Sequence, residues 1–428
     1  MTESKDRKER PRFSFFAVSR TGNRGAVSML ESAIDHLTSQ SAQGIVEVFT
    51  VYPAQDKALA EPRPNVNQHN GTPVDLVFKL IPLCAIYRLL SLFRIHLPHR
   101  VFGADMAALL DSHVCVIAGG TTFSDAQLLK VIYNVACVLP AIILNKKTML
   151  YSQTMGPFKN CFNRICARWV LKHIDVVAPR GRGSFECVRG LGITHSEELA
   201  DSAFTLEIPA AVAQKITDEY ADLVKGKTVV GISINTIVED ACRQLGIDHT
   251  AAWCGFITYL QQHDYNVLLI PHSIRPGSKS KHNNDLVPVS EILDALPSRE
   301  NVTVIDEPYG CKELRVLVGL SDYYVASRFH AMISSLCTVT PVLVFGWGYQ
   351  KYYEVMSEFE LTEYCNDAKE LSADNLIAGF ERVVADAESI KERIRNNLPS
   401  VRESSLQNHK KAMNLLPLHQ RDEAEQND

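Results

Sequence analysis

The stretch SDYYVASRFHAMISSL (residues 321–336) contains one copy of the pattern that decides the fold. Its apolar run Tyr323–Ser327 is short and unbroken, as in strands buried on both faces of a parallel sheet. The residues after this run are helix-like, and Arg328 and His330 lie at the turn between the two. A buried strand followed by a helix predicts one βα unit of a parallel sheet.

The same pattern recurs along the chain. Further runs of this type are Phe13–Ser19, Ile45–Tyr52, Val114–Ala118, Thr148–Gln153, Asp175–Pro179, Val229–Asn235, Val267–Pro271, Val302–Ile305 and Val342–Phe345. Buried strands that alternate with helices imply right-handed βαβ units and open, doubly wound sheets. The sequence therefore predicts the α/β fold class.

The length of the chain predicts two domains. Its 428 residues exceed one ordinary core and suit two domains of about 200 residues each. A polar, helical-looking connector, Glu207–Lys227, separates the two sets of strands. We therefore expect an N-terminal Rossmann-like domain over residues 13–206 and a C-terminal one over 228–400. The polar ends, residues 1–12 and 418–428, are expected to be disordered.

Composition excludes several classes of protein. A net charge of −5 argues against nucleic-acid binding, which normally needs a basic face. The eleven cysteines form no C-x-x-C pair and no regular spacing, which indicates reduced thiols and neither a disulfide framework nor a zinc site. The charged N-terminal residues do not resemble a secretory signal. These features predict a cytoplasmic protein with no metal and no cofactor.

Two segments of the first half differ from the βα pattern. Pro53–Pro73 is rich in Pro, Asn, Gln and Gly, which predicts a long surface loop. Val74–Leu97 is the most apolar long segment, but three basic residues and Pro82 interrupt it. It is interpreted as a buried or partly exposed helix pair. Its basic residues are also compatible with a peripheral membrane contact.

Candidate site residues follow the predicted strands, because ligands of open α/β sheets bind beyond the carboxyl ends of the strands. The first strand leads into a glycine-rich turn with Gly22 and Asn23, which opens a helix and exposes backbone N–H groups. A tight structural turn is the simpler explanation of this loop taken alone. A second such loop contains Gly120 and Thr121, and Arg180 directly follows another strand.

The second half offers candidates of its own. His272 follows one predicted strand, although a lone histidine in an apolar setting is usually a core residue. Arg328 carries a planar fork suited to a carboxylate or a phosphate, and no carboxylate partner is evident nearby in sequence. His330, two residues later, can transfer a proton near neutral pH. Lys351 is a further candidate for a ligand contact.

These motifs, in this order, resemble the polysaccharide pyruvyl transferase family. The resemblance extends from about Phe13 to Leu361. It rests on GNRGA (22–26), AGGTTF (118–123), QTMGPF (153–158), APRGRGSFECVRGLGI (178–193), ADSAF (200–204), SDYYVASRFHAMISSL (321–336) and TPVLVFGWGYQK (340–351). Two positions depart from the family pattern, since Ala26 and Gly181 stand where the family commonly has acidic residues.

The resemblance implies a fold like that of the GT-B glycosyltransferases, with two Rossmann-like domains facing a central cleft. It implies transfer of a pyruvyl group from phosphoenolpyruvate to hydroxyls of a sugar or lipid-linked saccharide, giving a pyruvyl ketal for the cell envelope or an exopolysaccharide. Arg180 and Arg328 would bind the phosphate and the carboxylate from the two domains. His330 would be the general acid or base, or a phosphate ligand. Asp201 is expected to orient structure rather than to react.

Two other functions remain open at this point. A GT-B glycosyltransferase with a nucleotide-sugar donor would share the fold, with Arg328 and Lys351 on a diphosphate and Glu354 on the donor ribose or sugar. A catalytically idle binding protein on the same fold would explain Ala26 and Gly181. Retention of Arg180, Arg328 and His330 together argues against decay. The sequence is silent on the acceptor and on the oligomeric state.

Overall fold

The structure is a computed structural model that describes residues 10–39, 41–125, 128–274, 284–348, 350–418 and 420. Contacts between Cα atoms divide the chain into two compact units. Unit one comprises the described residues of Met1–Thr21, Met29–Thr205 and Glu403–Asp428, and unit two those of Gly22–Ser28 and Leu206–Arg402.

Each unit is built on one parallel sheet. The strands are β1 (Arg12–Val18), β2 (Ile45–Thr50), β3 (Val66–Asn70), β4 (Val114–Ile117), β5 (Thr121–Thr122), β6 (Lys147–Met155) and β7 (Val176–Pro179) in unit one, and β8 (Val229–Ser233), β9 (Asn266–Leu269), β10 (Val302–Val304), β11 (Tyr323–Ala326), β12 (Val342–Gly346) and β13 (Cys365–Asp367) in unit two. The order in unit one is β3-β2-β1-β4-β6-β5, with β7 also paired to β6. The order in unit two is β10-β9-β8-β11-β12-β13.

Helices connect successive strands. The α-helices are α1 (Arg24–Leu37), α2 (Pro53–Leu59), α3 (Pro73–Asp75), α4 (Ile81–Leu92), α5 (Ala104–Asp111), α6 (Leu128–Leu144), α7 (Cys161–Leu171), α8 (Arg182–Gly190), α9 (Ala210–Glu219), α10 (Ala221–Val224), α11 (Thr236–Leu245), α12 (His249–Gln262), α13 (Leu286–Ala295), α14 (Cys311–Gly319), α15 (Phe329–Cys337), α16 (Gln350–Glu358), α17 (Ala373–Ala385) and α18 (Ala387–Asn414). A π-helical turn covers Leu76–Leu80, and 3₁₀ turns cover His99–Phe102, Ser202–Thr205, Thr362–Tyr364 and Ala368–Glu370.

The strand order of unit two is that of the dinucleotide-binding Rossmann fold, with three strands on each side of the line between β8 and β11. After β10 the chain returns to the middle of the sheet and places β11 on the other side of β8. In unit one it likewise places β4 on the other side of β1 after β3. Such switch points open a crevice at the carboxyl ends of the two central strands. They determine where a site can form in each unit.

Both faces of the unit-one sheet are covered, as the unbroken apolar runs predict. In β4, Val114 and Val116 belong to one buried cluster, whereas Cys115 and Ile117 belong to another. Successive side chains of a strand point to opposite faces, so the two clusters lie on opposite sides of the sheet. The α/β prediction is therefore confirmed, and each strand predicted from an apolar run is present.

The prediction of a long surface loop over Pro53–Pro73 is wrong. The segment contains α2 and the edge strand β3, whose residues VNQHN are polar and pair in parallel with β2. Asp56 of α2 is fully buried and accepts hydrogen bonds from the hydroxyl groups of Ser19 (2.9 Å) and Thr50 (2.5 Å). It also accepts one from the backbone N–H of Arg20 at 2.8 Å. The segment is thus part of the fold of unit one.

The apolar segment that follows is nearly continuous helix, rather than the predicted helix pair. It passes from α3 through the π-helical turn into α4, and Pro82 stands at the start of α4, where a missing N–H costs nothing. Among the described residues, no helix combines the length and the hydropathy needed to cross a bilayer. The eleven cysteines form no disulfide.

The predicted domain boundaries, 13–206 and 228–400, remain predictions. Unit two as defined by contacts also includes the loop at Gly22–Ser28, and unit one also includes the end of α18 from Glu403 onward. The predicted connector at 207–227 contains α9 and α10. The predicted disordered ends fall mostly outside the described residues, and Arg12 already belongs to β1.

Candidate functional site

At the switch point of unit two, hydrogen bonds join the ends of β8 and β11. The hydroxyl of Ser327 donates to the carbonyl of Ser233 at 2.6 Å, and the side chain of Asn235 donates to the carbonyl of Ser327 at 3.0 Å. Asn235 also caps α11, because its Oδ1 accepts from the N–H of Ile237 at 2.8 Å. The residue after Ser327 is Arg328, so this network fixes the backbone from which the arginine projects.

Arg328 is buried and paired with Asp285, which is fully buried. The arginine Nε donates to Asp285 Oδ2 at 2.9 Å, and Nη2 donates to Oδ1 of the same carboxylate. Asp285 also accepts from the N–H groups of His272 (3.2 Å) and Ser273 (3.0 Å). Among the described residues, Nη1 of Arg328 has no hydrogen-bond partner. The fork is therefore fixed in place, with one terminal nitrogen left for a ligand.

His272 lies beside this pair and is buried. Its Nδ1 lies 3.0 Å from the carbonyl oxygen of Ile270, so Nδ1 carries the proton and donates it. Its Nε2 has no hydrogen-bond partner in the described part of the chain. The pKa of His272 is lowered to about 4, mainly by burial and also by Arg328 and His330, although the hydrogen bond to Ile270 and the carboxylate of Asp285 oppose this shift. At neutral pH, Nε2 is thus a buried hydrogen-bond acceptor.

The glycine-rich first loop belongs to the same site. Asn23 caps α1 by accepting the N–H of Gly25 at 3.0 Å, and the N–H of Arg24 donates to the carbonyl of His272 at 3.1 Å. Gly25 is packed directly against His330, because a Cβ built on Gly25 would lie 2.3 Å from Nδ1 of that histidine. The absence of a side chain at Gly25 is therefore what allows the start of α1 to approach His330.

Lys351 adds a cationic group beside Phe329, the residue that follows Arg328. Its Nζ lies 5.7 Å from the ring centre of Phe329 and 5.2 Å from that of Tyr352. Tyr352 is buried and donates its hydroxyl to the carbonyl of Ser327 at 3.0 Å, which anchors this wall to the end of β11. The first turn of α15, with its positive dipole end, begins at Phe329. The carboxyl edge of unit two therefore favours an anion.

Unit one has a separate cluster around Arg180, at the carboxyl ends of β6 and β7. The guanidinium donates to the hydroxyl of Thr154 at 2.7 Å and to the carbonyl of Gly120 at 3.1 Å, and it pairs with the fully buried Asp201. Thr121 begins the short strand β5 and pairs with Thr154 of β6. Asp201 thus orients Arg180.

The structure groups the predicted site residues into these two clusters. Asn23, His272, Arg328, His330 and Lys351 occur in unit two, to which Gly22 also belongs. Gly120, Thr121 and Arg180 occur in unit one.

Sequence reasoning missed Asp285, and it gave Gly25 and Asn235 no role of their own. Asp285 stands directly before α13, a pattern that suggests a helix cap, but its carboxylate does not cap α13 and pairs with Arg328 instead. Within the described residues, no group of three or more His, Cys, Asp and Glu side chains could hold a metal ion.

Solved structures with this architecture define the class of fold. An α,α-trehalose-phosphate synthase (UDP-forming) from Burkholderia vietnamiensis aligns over 95% of this chain and 98% of its own, with a TM-score of 0.56 and 11% identity. A UDP-GlcNAc 2-epimerase from Methanocaldococcus jannaschii, in complex with UDP-GlcNAc and UDP, aligns over 87% and 92%, with a TM-score of 0.53 and 13% identity. At these identities the likeness shows the fold alone, which is GT-B.

The family is narrower than the fold. The model of the polysaccharide pyruvyl transferase family matches residues 23–349, which is more than half of the chain. The chain therefore belongs to the polysaccharide pyruvyl transferase family, and the resemblance noted in the sequence is confirmed. No curated protein matches the chain significantly. The matched range begins in the first loop and extends beyond the Arg328–His330 motif.

Replacement of Gly25 by alanine tests the contact with His330. The added Cβ would meet the ring of His330 at 2.3–2.7 Å, so the histidine or the first turn of α1 must move. Overpacking of this kind costs about 1–3 kcal/mol. We expect Gly25→Ala to lower the free energy of unfolding by that amount, measured by urea denaturation.

Gly190→Ala is the matched control, since Gly190 is also helical and a Cβ added to it would meet nothing within 4 Å. Alanine in place of a helical glycine stabilises by up to about 1 kcal/mol when space allows. A Gly25→Ala protein as stable as Gly190→Ala would show that His330 is not packed against the first loop.

The depressed pKa of His272 predicts a loss of stability in acid. Below pH about 6.5 the unfolded chain binds a proton at this histidine, whereas the folded protein does not until pH about 4. The free energy of unfolding must therefore fall as the pH falls through this window. Between pH 7 and pH 5 the contribution of His272 is about 2 kcal/mol.

His272→Asn keeps an N–H donor for Ile270 but cannot titrate, so its stability should fall less on acidification, by about 2 kcal/mol, than that of the wild type. Urea denaturation at pH 7 and pH 5 measures the difference. The exposed His263, changed to asparagine, controls for removal of any histidine. Equal losses in wild type and His272→Asn would contradict the assignment.

Proposed function

We propose that this protein transfers the pyruvyl group of phosphoenolpyruvate to two hydroxyls of a sugar in a glycan or glycolipid precursor, forming a pyruvyl ketal. The observation that carries the proposal is the family match over residues 23–349, which includes the first loop and the Arg328–His330 motif. A cytoplasmic location, a role in exopolysaccharide or cell-envelope synthesis and a peripheral membrane contact belong to the same proposal.

The carboxyl edge of unit two suits the donor. Phosphoenolpyruvate carries a phosphate and a carboxylate, so its site needs fixed cations and N–H donors. Nη1 of Arg328, the ammonium of Lys351 and the first turn of α15 supply these groups. Because Asp285 already neutralises the charge of Arg328, we assign the arginine to orientation and hydrogen bonding and Lys351 to charge compensation.

The reaction can be written with these groups in named roles. A proton is added to the methylene carbon of phosphoenolpyruvate, which makes C2 electrophilic, and a sugar hydroxyl adds to C2 as it loses its own proton. Phosphate then leaves from C2, and a second hydroxyl of the sugar closes the ketal with loss of its proton. We assign the proton transfers to His330, whose ring lies against Gly25, with the neutral Nε2 of His272 as hydrogen-bond acceptor.

In the cluster of unit one, Gly120 and Thr121 are assigned to the acceptor, and Arg180 keeps its assignment to the phosphate or the carboxylate of the donor. Arg180 is held by Asp201, Thr154 and the carbonyl of Gly120, and Thr121 pairs with Thr154 in the sheet. A sugar presents hydroxyl groups that both donate and accept hydrogen bonds, and this set contains partners of both kinds. We assign Gly22 and Asn23 to shaping the first loop, because Asn23 caps α1 and so fixes the backbone of this loop.

Thermal unfolding with phosphoenolpyruvate tests the donor assignment. A ligand that binds only the folded protein raises the apparent stability by about 2.7 kcal/mol at a hundredfold excess over its dissociation constant. We expect such an increase for the wild type and none for Arg328→Ala. The double variant Arg328→Ala/Asp285→Ala is included because it leaves no unpaired charge buried at the switch point.

Arg182→Ala is the control, since this arginine is exposed and pairs with Glu186 on the surface of unit one. It should keep the full response to phosphoenolpyruvate. A response to uridine or guanosine diphosphate, with none to phosphoenolpyruvate, would overturn the proposal in favour of a glycosyltransferase with a nucleotide-sugar donor.

A further inference from the structure

Unit one presents an apolar surface that its fold does not cover. The helical stretch from the π-helical turn through α4 buries one side, where Leu76, Leu80 and Cys84 join the core. The opposite side is exposed, with Phe78 at 79% and Leu89 at 55% of full accessibility. These residues are spaced at intervals that place them on one helical face. The helix is therefore apolar on both its core side and its solvent side.

The exposure continues beyond α4. Leu92, Phe93 and Val101 are 68%, 70% and 65% exposed. Half of the large exposed apolar side chains among the described residues lie between Val74 and Val101. Single exposed apolar residues need no explanation, but contiguous patches mark interaction sites.

A neighbouring helix has the same character. Helix α4 packs against α6, and α6 packs against α7. On α7, Phe162, Ile165 and Trp169 are 46%, 67% and 43% exposed. Tryptophan is enriched where an apolar ring meets a wet, polar boundary. We call the exposed sides of the stretch 76–101 and of α7 the apolar-basic face.

The charges of this face all have one sign. Residues 76–104 contain Lys79, Arg88, Arg94 and Arg100 and no aspartate or glutamate, in a chain whose net charge is −5. The segment 159–174 likewise contains four basic residues and no acidic one. Arg88, Arg94 and Arg100 are exposed and form no ion pair with any described residue.

Acidic groups at the border of the face pair with Lys79 and His99, but not with its three exposed arginines. Asp105 and Asp111 of α5 pair with Lys79 (3.3 Å) and with His99 (2.7 Å). The three exposed arginines keep their positive charges next to exposed leucine and phenylalanine side chains. Apolar side chains flanked by basic ones are the composition of helices that lie in the interface of a bilayer.

We propose that the apolar-basic face holds unit one on a bilayer rich in anionic phospholipid, an inference that rests on the peripheral membrane contact of the proposed function and gives it a surface and a lipid class. The apolar side chains enter the boundary between headgroups and acyl chains to a depth of about 5–10 Å, and the basic residues bind lipid phosphates. The protein lies on the membrane rather than in it, since none of its described helices can cross one. A second copy of the chain is the less favoured occupant, because a two-fold interface would bring like charges together.

Sedimentation with vesicles tests this surface without any substrate. The purified full chain is mixed with vesicles of phosphatidylcholine alone or with phosphatidylglycerol added, at low and at high salt. We expect binding only to the anionic vesicles, with weaker binding at high salt because salt screens the basic residues. Leu89→Ser/Phe93→Ser and Arg88→Gln/Arg94→Gln should each lower the partition coefficient by about tenfold or more.

Ile237→Ser/Leu245→Ser is the matched control, since these residues are 45% and 47% exposed on α11 of unit two. It should bind vesicles like the wild type. All variants are checked for unchanged thermal unfolding. The proposal is overturned if the variants of the apolar-basic face bind anionic vesicles as well as the control variant does. It is also overturned if the folded wild-type protein does not bind anionic vesicles. A dimer that Leu89→Ser/Phe93→Ser converts to a monomer, without vesicle binding, would assign the face to a second copy. The response to phosphoenolpyruvate is independent of all these outcomes.

Discussion

The buried ion pair between Arg328 and Asp285 is the interaction on which the site of unit two depends. It joins the ends of three central strands, because Arg328 follows β11 while Asp285 also accepts the N–H groups of His272 and Ser273 after β9 and of Thr236 after β8. Loss of one member of such a pair leaves an uncompensated charge and typically costs about 3–5 kcal/mol. The pair is therefore a fixed element around which the loops of the switch point are built.

This arrangement changes what the arginine can contribute. A guanidinium that is already neutralised adds little net charge, but its position is set before a ligand arrives, which lowers the entropy lost on binding. In the proposed donor site, the charge of the anion is therefore assigned to Lys351 and the first turn of α15. The contact of Gly25 with His330 likewise fixes a group of the site in advance. Because Gly25 has no side chain, the start of α1 packs directly against the ring of His330.

The sequence predicts the parallel sheets well because their central strands are buried on both faces, and such strands consist of unbroken apolar runs. It misses β3 because VNQHN is polar, which is common for an edge strand, and none of its residues is buried. It finds Arg328 and His330 because both lie where a strand gives way to a helix. It cannot find Asp285, since 43 positions separate this carboxylate from its partner and its place before a helix resembles an ordinary cap. Likewise, the apolar run around α4 is visible in the sequence, but only the structure shows which of its side chains face solvent.

The most direct test of the role given to Arg328 is a crystal structure of the protein with phosphoenolpyruvate. We expect the phosphate or the carboxylate of the donor to lie within hydrogen-bond distance of Nη1 of Arg328, with the Arg328–Asp285 pair intact and the ligand in contact with His330. A donor bound away from the ends of β8 and β11, or crystals that bind none at saturating concentration, would contradict this role.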